Sequence, residues 1–187
     1  MDFKGQPVFT LSSGHKMPAV GLGTYLSNKG VIGPVIKKAI LEDGYRHIDC
    51  AKLYNNEEEI CQALQECFAA GIKREDIFVT CKLWHTDKND VEGAIDASLK
   101  RLQLDYLDLY LIHWIWPNVE WGDDSAEPKI LTPPNHIVWK QMESLYKKGK
   151  AKIIGVSNCT IPLLIDLLAG CEIKPHVNQI EVHPYLQ

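Results

Sequence analysis

The chain has 187 residues, enough for one domain with a sizeable core, and its 45% hydrophobic and 24% charged residues are ordinary globular composition. No apolar run is long enough to span a bilayer, and residues 1–7 show no basic segment leading into an apolar one, so the chain reads as soluble and cytoplasmic. A net charge of −4 without a strongly basic stretch speaks against nucleic acid, and six cysteines without CxxC spacing speak against a zinc knuckle or a dithiol site.

In chain order, Val8-Phe9-Thr10-Leu11, a Ser-Ser-Gly turn and His15-Lys16-Met17 predict a small hairpin. Residues 19–23 are the first core strand. A helical pattern covers 33–43, and Gly44 suits the left-handed position after it. His47-Ile48-Asp49 is the second strand. Ile60, Leu64 and Phe68 recur at helical spacing over 57–70, closed by Gly71. Residues 77–82 form a third strand, and Val91, Ile95, Leu99 and Leu102 mark the next helix. A fourth strand covers 107–112. The stretch 115–136 has no period and carries Trp116, Trp121, Pro117, Pro128, Pro133 and Pro134, which reads as a lid or binding loop. A helix over 137–148 ends at Gly149. A strand over 152–156, a helix over 161–169 and a strand over 177–182 complete the chain.

Six strands alternating with five helices predict a parallel α/β sheet with right-handed crossovers, open or closed into a barrel. Several apolar runs end in a polar group: Asp49, Lys82, His113 and the pair Ser157-Asn158, while Gln179 and Glu181 interrupt the sixth strand. Such groups cost free energy unless they pair. Each alone has a structural explanation: Asp49 as a helix cap, Lys82 with Asp49 as a buried pair, His113 as a core histidine bonded to backbone. Together, at equivalent strand ends, they converge on one face of a barrel, where active sites sit. Gly21-Leu22-Gly23 follows a strand, but Leu26 stands where a dinucleotide fingerprint requires glycine. The seven histidines are scattered, so no metal site is expected.

Gly44-Tyr45-Arg46-His47-Ile48-Asp49-Cys50-Ala51, with Tyr54 and Glu57 following, resembles the first signature of the aldo-keto reductase family. The segments 104–114, 154–158 and 178–185 resemble further family segments in the expected order, closest to the aldose-reductase-like branch. The resemblance implies a TIM (β/α)8-type barrel with an N-terminal β-hairpin. It implies a catalytic tetrad of Asp49, Tyr54, Lys82 and His113. It also implies that Ser157, Asn158 and Gln179 hold the nicotinamide carboxamide, with Thr24, Tyr25 and Asp49 near the cofactor. Tyr25, Trp84, His113 and Trp114 fall on substrate-pocket positions. The implied cofactor is NADPH/NADP, its preference over NADH resting on the family alone, and the implied partner is a small carbonyl substrate such as an aldose sugar or small aldehyde.

In that chemistry hydride goes to a carbonyl carbon and Tyr54 protonates the oxygen. A free phenol titrates near 10, and a lysine cation beside it is expected to lower that value. Asp49 keeps the lysine charged, and His113 donates to the oxygen.

By the same resemblance, residues 1–187 form a single barrel domain that stops after the sixth strand, with two strand–helix units, a third signature and the residues gripping the adenosine 2′-phosphate missing. A complete barrel implies a monomer; a chain ending at Gln187 implies open sheet edges and an oligomer or an inactive fragment. The competing reading is a catalytically silent binding or regulatory relative. Asn55, Cys61 and Cys159 replace the family's glycine, glycine and aromatic, changes expected to alter fit rather than chemistry.

Overall fold

The computed structural model describes residues 3, 6–117, 119–120 and 129–186. Strands β1 (Val8–Thr10) and β2 (Lys16–Pro18) form the predicted hairpin, Val8 opposite Pro18. Then follow β3 (Leu22–Gly23), α1 (Ile32–Leu41), β4 (His47–Asp49), α2 (Glu57–Ala69), β5 (Phe78–Leu83), α3 (Val91–Leu102) and β6 (Leu107–Ile112). A two-residue pair, β7 (Val119–Glu120) with β8 (Lys129–Ile130), precedes α4 (Asn135–Lys147), β9 (Ala151–Ser157), α5 (Ile161–Gly170) and β10 (Asn178–Gln179). One six-stranded parallel sheet runs β3-β4-β5-β6-β9-β10, with its helices packed as neighbours in chain order.

The two-residue alternation of a strand sorts the side chains. On β5, Val79, Cys81 and Leu83 join the large apolar cluster under the helices, as do Tyr110 and Ile112 on β6 and Ile154 and Val156 on β9. Phe78, Leu109, Leu111 and Ile153 face the other way and pack with Phe3, Leu11 and Met17. The second face is the concave interior, and the N-terminal hairpin plugs its lower end. The same alternation carries Asp49, Lys82, His113, Ser157 and Gln179 to the inner side of successive strand ends.

Gly44, Gly71 and Gly149 take the left-handed φ of 78°, 98° and 73° that ends α1, α2 and α4. Gln103 does the same after α3, at φ 51°. The first and last core strands are shorter than predicted. Ala19 extends the hairpin instead, its N–H donating to the Pro7 carbonyl at 2.8 Å. β10 is an edge strand, and Ile180 and Val182 beyond it are exposed. The aperiodic stretch is drawn together at its ends by β7 and β8, and Pro134 caps α4. Trp121 and Pro128, expected in that stretch, lie outside the described residues. All six cysteines are free, and only Cys171 is not buried. Among the described residues no helix is long and apolar enough to cross a membrane.

Candidate active site

The site is assembled at the carboxyl ends of β4, β5, β6, β9 and β10. After Asp49 the chain makes a single 3₁₀ turn, Lys52–Tyr54, that turns Tyr54 back over the sheet. Asn55 ends the turn at φ 52°, a left-handed conformation that asparagine and glycine tolerate best. Asn56 is buried, and its Nδ2 donates to the Thr24 carbonyl at 2.8 Å, fastening the turn to the loop after β3.

Lys82, on β5, is the hub. Its side chain is 1% exposed, and its Nζ donates to Asp49 Oδ1, to Tyr54 Oη at 3.0 Å and to the Cys50 carbonyl at 3.4 Å. The second Asp49 oxygen, Oδ2, accepts from Gln179 Nε2 at 2.8 Å. Across the opening, the His113 ring stands edge-on to Tyr54 with centroids 5.7 Å apart, and Trp84 stands edge-on to His113 at 5.2 Å. Tyr25 is exposed, with its ring 5.0 Å from that of Tyr54. Asn158, at φ 54°, donates to the His113 carbonyl at 3.1 Å, and Ser157 Oγ donates to the Gln179 carbonyl at 3.0 Å. Asp49, Tyr54, His113, Ser157, Asn158 and Gln179 line one cavity of about 440 Å³.

Burial alone would discharge Lys82, but the Asp49 carboxylate and Tyr54 outweigh it, and its affinity for the proton is raised. Burial, with Lys82 close by, holds the His113 imidazole down to about 4, so it is neutral at pH 7. For Tyr54 the direction is opposite to the sequence-based expectation. Desolvation of the half-buried phenol raises its pKa, and the attraction of Lys82 only moderates that rise. The sequence argument counted the cation and left out the water lost.

The expected residues are not all brought to the cavity. Thr24 is fully buried, and its Oγ1 donates to the Asp49 carbonyl at 3.0 Å, so it braces the strand end. Trp114 stacks on Trp116, centroids 4.8 Å apart and planes 11° apart. The structure adds Asn56 and Gly21. A Cβ on Gly21 would come 2.8 Å from His47 Nδ1, so glycine makes room for that inner-face ring.

The aldo/keto reductase family model matches residues 27–187. The chain belongs to the aldo/keto reductase family. Curated relatives include aldo-keto reductase family 1 member A1 of Gallus gallus, 46% identical over 94% of this chain and 56% of that protein. Aldose reductase B of Dictyostelium discoideum is 45% identical over 92% of this chain and 60% of that protein. The chain therefore spans rather more than half the length of these relatives. Among solved structures, the aldose reductase of Schistosoma japonicum superposes with a TM-score of 0.84 at 41% identity, over 95% of this chain and 62% of that one. The aldo-keto reductase of Bombyx mori in complex with NADP gives 0.83 at 35% identity, over 95% and 58%. The curled parallel sheet is thus part of a (β/α) barrel of this aldo-keto reductase type, six strands and five helices of it.

The donor set suits the nicotinamide end of such a cofactor. A carboxamide offers two N–H donors and one carbonyl acceptor, and the hydroxyl and two side-chain amides of Ser157, Asn158 and Gln179 can answer both kinds. His113 Nδ1 is buried without a hydrogen-bond partner among the described residues.

Proposed function

We propose that residues 1–187 belong to a single barrel domain, of which the last two strand–helix units are missing here, in a soluble, cytoplasmic reductase that uses NADPH to reduce aldehydes and ketones, aldose-type sugars or small aldehydes, to alcohols, with Tyr54 as proton donor. The observation that carries this reading is that buried Lys82 Nζ is bonded to Asp49 and, at 3.0 Å, to Tyr54 Oη, two residues that line the cavity. When bound, the cofactor supplies the hydride to the carbonyl carbon.

The side chains handle the oxygen. Because burial raises its pKa, Tyr54 holds its proton at neutral pH and is available to give it up to a developing alkoxide, a far stronger base. The phenolate left behind faces the Lys82 ammonium at 3.0 Å, and that attraction grows as the negative charge forms. Asp49 keeps Lys82 protonated and aimed. His113, neutral and 5.7 Å from Tyr54 between ring centres, carries one N–H to donate to the substrate oxygen without adding a second buried cation beside Lys82. Trp84 forms an apolar wall against His113. Ser157, Asn158 and Gln179 hold the carboxamide.

The test is aldehyde-dependent oxidation of NADPH by the chain, with Tyr54→Phe beside it. Turnover is expected from the parent and a loss of about 10²-fold or more in the variant, with NADPH still bound. A variant keeping most of the parent's turnover overturns Tyr54 as donor; no turnover on any aldehyde by a folded protein in which a complete barrel surrounds these residues overturns the reductase reading.

A further inference from the structure

Lys88 is a charged side chain that the chemistry above does not use. It follows β5 by five residues, is fully buried, and its two recorded bonds go to main-chain carbonyls: Ile115 at 3.0 Å and Trp116 at 2.7 Å. Desolvation alone pulls its pKa down to about 8. A buried ammonium is an expensive way to satisfy two carbonyls, and its position shows what it holds.

The bond joins two loops that both carry site residues. The loop after β5 holds Trp84, whose ring meets His113. The loop after β6 starts at His113 and continues through Trp114 to Trp116, stacked on each other. Lys88 grips the main chain at Ile115 and Trp116. The neighbouring residues extend the grip. Asn89 Nδ2 donates to the Leu131 carbonyl at 3.0 Å, so one short turn holds the aperiodic stretch near its start and near its end. Asp87 Oδ1 and Oδ2 accept from Lys52 Nζ at 2.7 and 2.6 Å, tying the same turn to the loop that presents Tyr54.

We propose that Lys88 is a positioning residue that clamps the chain leaving His113, and that the clamp sets which carbonyl substrates the Tyr54–His113 site accepts. The substrate half of this proposal rests on the reductase reading; the clamp does not. Substrate size is the property affected, because the clamp joins the loop carrying Trp84, whose ring meets His113, to the chain leaving His113, and makes no bond to Asp49, Tyr54 or Lys82.

The experiment pairs hydrogen exchange with steady-state kinetics on Lys88→Met, which fills similar volume without donors, and on Lys88→Arg, which keeps them. In Lys88→Met the amides of residues 113–116 are expected to exchange about tenfold faster, with β5 amides unchanged. KM for a bulky aromatic aldehyde is expected to move about fivefold relative to that for a small one, with kcat for the small one within about twofold. Lys88→Arg is expected to retain most of the protection. Unchanged exchange in Lys88→Met overturns the clamp. Equal loss of protection in both variants overturns hydrogen bonding as its basis; if Lys88→Met does not fold, loss of protection in a folded Lys88→Arg does the same. Faster exchange with an unchanged KM ratio overturns the substrate role. If no aldehyde is turned over by a folded protein carrying the complete barrel, the reductase reading falls and the substrate role with it, while exchange still decides the clamp.

Discussion

Gln179 and Asp49 are 130 positions apart in the chain, yet Gln179 Nε2 donates to Asp49 Oδ2 at 2.8 Å. The bond is a chord across the concave side of the sheet, from β10 to β4, with β9, β6 and β5 between them. It occupies the Asp49 oxygen that Lys82 leaves open. Gln179→Leu is expected to destabilise the chain by about 1–3 kcal/mol, since a mostly buried carboxylate oxygen loses its donor. Gln179→Glu should cost more, because it sets two carboxylates face to face. A denaturant midpoint unmoved by either change would show that the chord contributes nothing.

Lys82→Met removes the cation between Asp49 and Tyr54. The pair is largely desolvated, with side chains 1% and 15% exposed, so the abandoned carboxylate is expected to cost roughly 3 kcal/mol of stability. In the same variant the Tyr54 pKa should rise further, because the Lys82 attraction is what moderates it. Equilibrium unfolding and a spectroscopic tyrosine titration check the two halves separately.

Two inner-face histidines make stability depend on pH. Burial is the first cause that holds both His47 and His113 at about 4, below the ordinary 6.5. Between those values the unfolded chain binds the protons that the folded chain refuses, so stability rises with pH across the window. It is fully present above 6.5 and is lost as pH falls toward 4, at up to about 1.4 kcal/mol per unit for each histidine. Urea midpoints from pH 4 to 7 measure this slope, and His47→Phe is expected to flatten it. A slope unchanged in that variant would assign the acid sensitivity to other groups.

Gly155 sits on the inner face of β9 where a Cβ would lie 2.5 Å from the Val177 carbonyl oxygen and 2.8 Å from Leu111 Cδ2. The first is backbone and cannot swing aside. Gly155→Ala is therefore expected to push the chain leading into β10 away from β9, costing about 1–3 kcal/mol and weakening the Gln179–Asp49 bond. A thermal midpoint within error of the parent's would show that β10 yields freely.

If Tyr54 is the donor, its burial also bears on the pH profile. The alkaline fall of kcat should come above the ordinary phenol value of 10.0, not near neutrality as a lysine acting alone would produce. The kcat profile of the parent, measured to high pH with a small aldehyde, decides between the two.

Local pattern alone determined the order of strands and helices here, and it placed Asp49, Lys82, His113 and Ser157 at strand ends, because a polar residue closing an apolar run is visible without any partner. Glycine after a helical period was enough to locate the left-handed turns at Gly44, Gly71 and Gly149. Tertiary structure decided what each of those groups meets. Only the curl of the sheet brings Gln179 to Asp49. Only packing puts Thr24 against the Asp49 backbone and Trp114 on Trp116. Only the loss of water around Tyr54 reverses the direction expected from its lysine neighbour. Periodicity is a property of residues a few positions apart, whereas desolvation and hydrogen-bond partnership sum over atoms brought from distant segments, and Lys88, buried against a loop 27 positions later, shows no local sign of either.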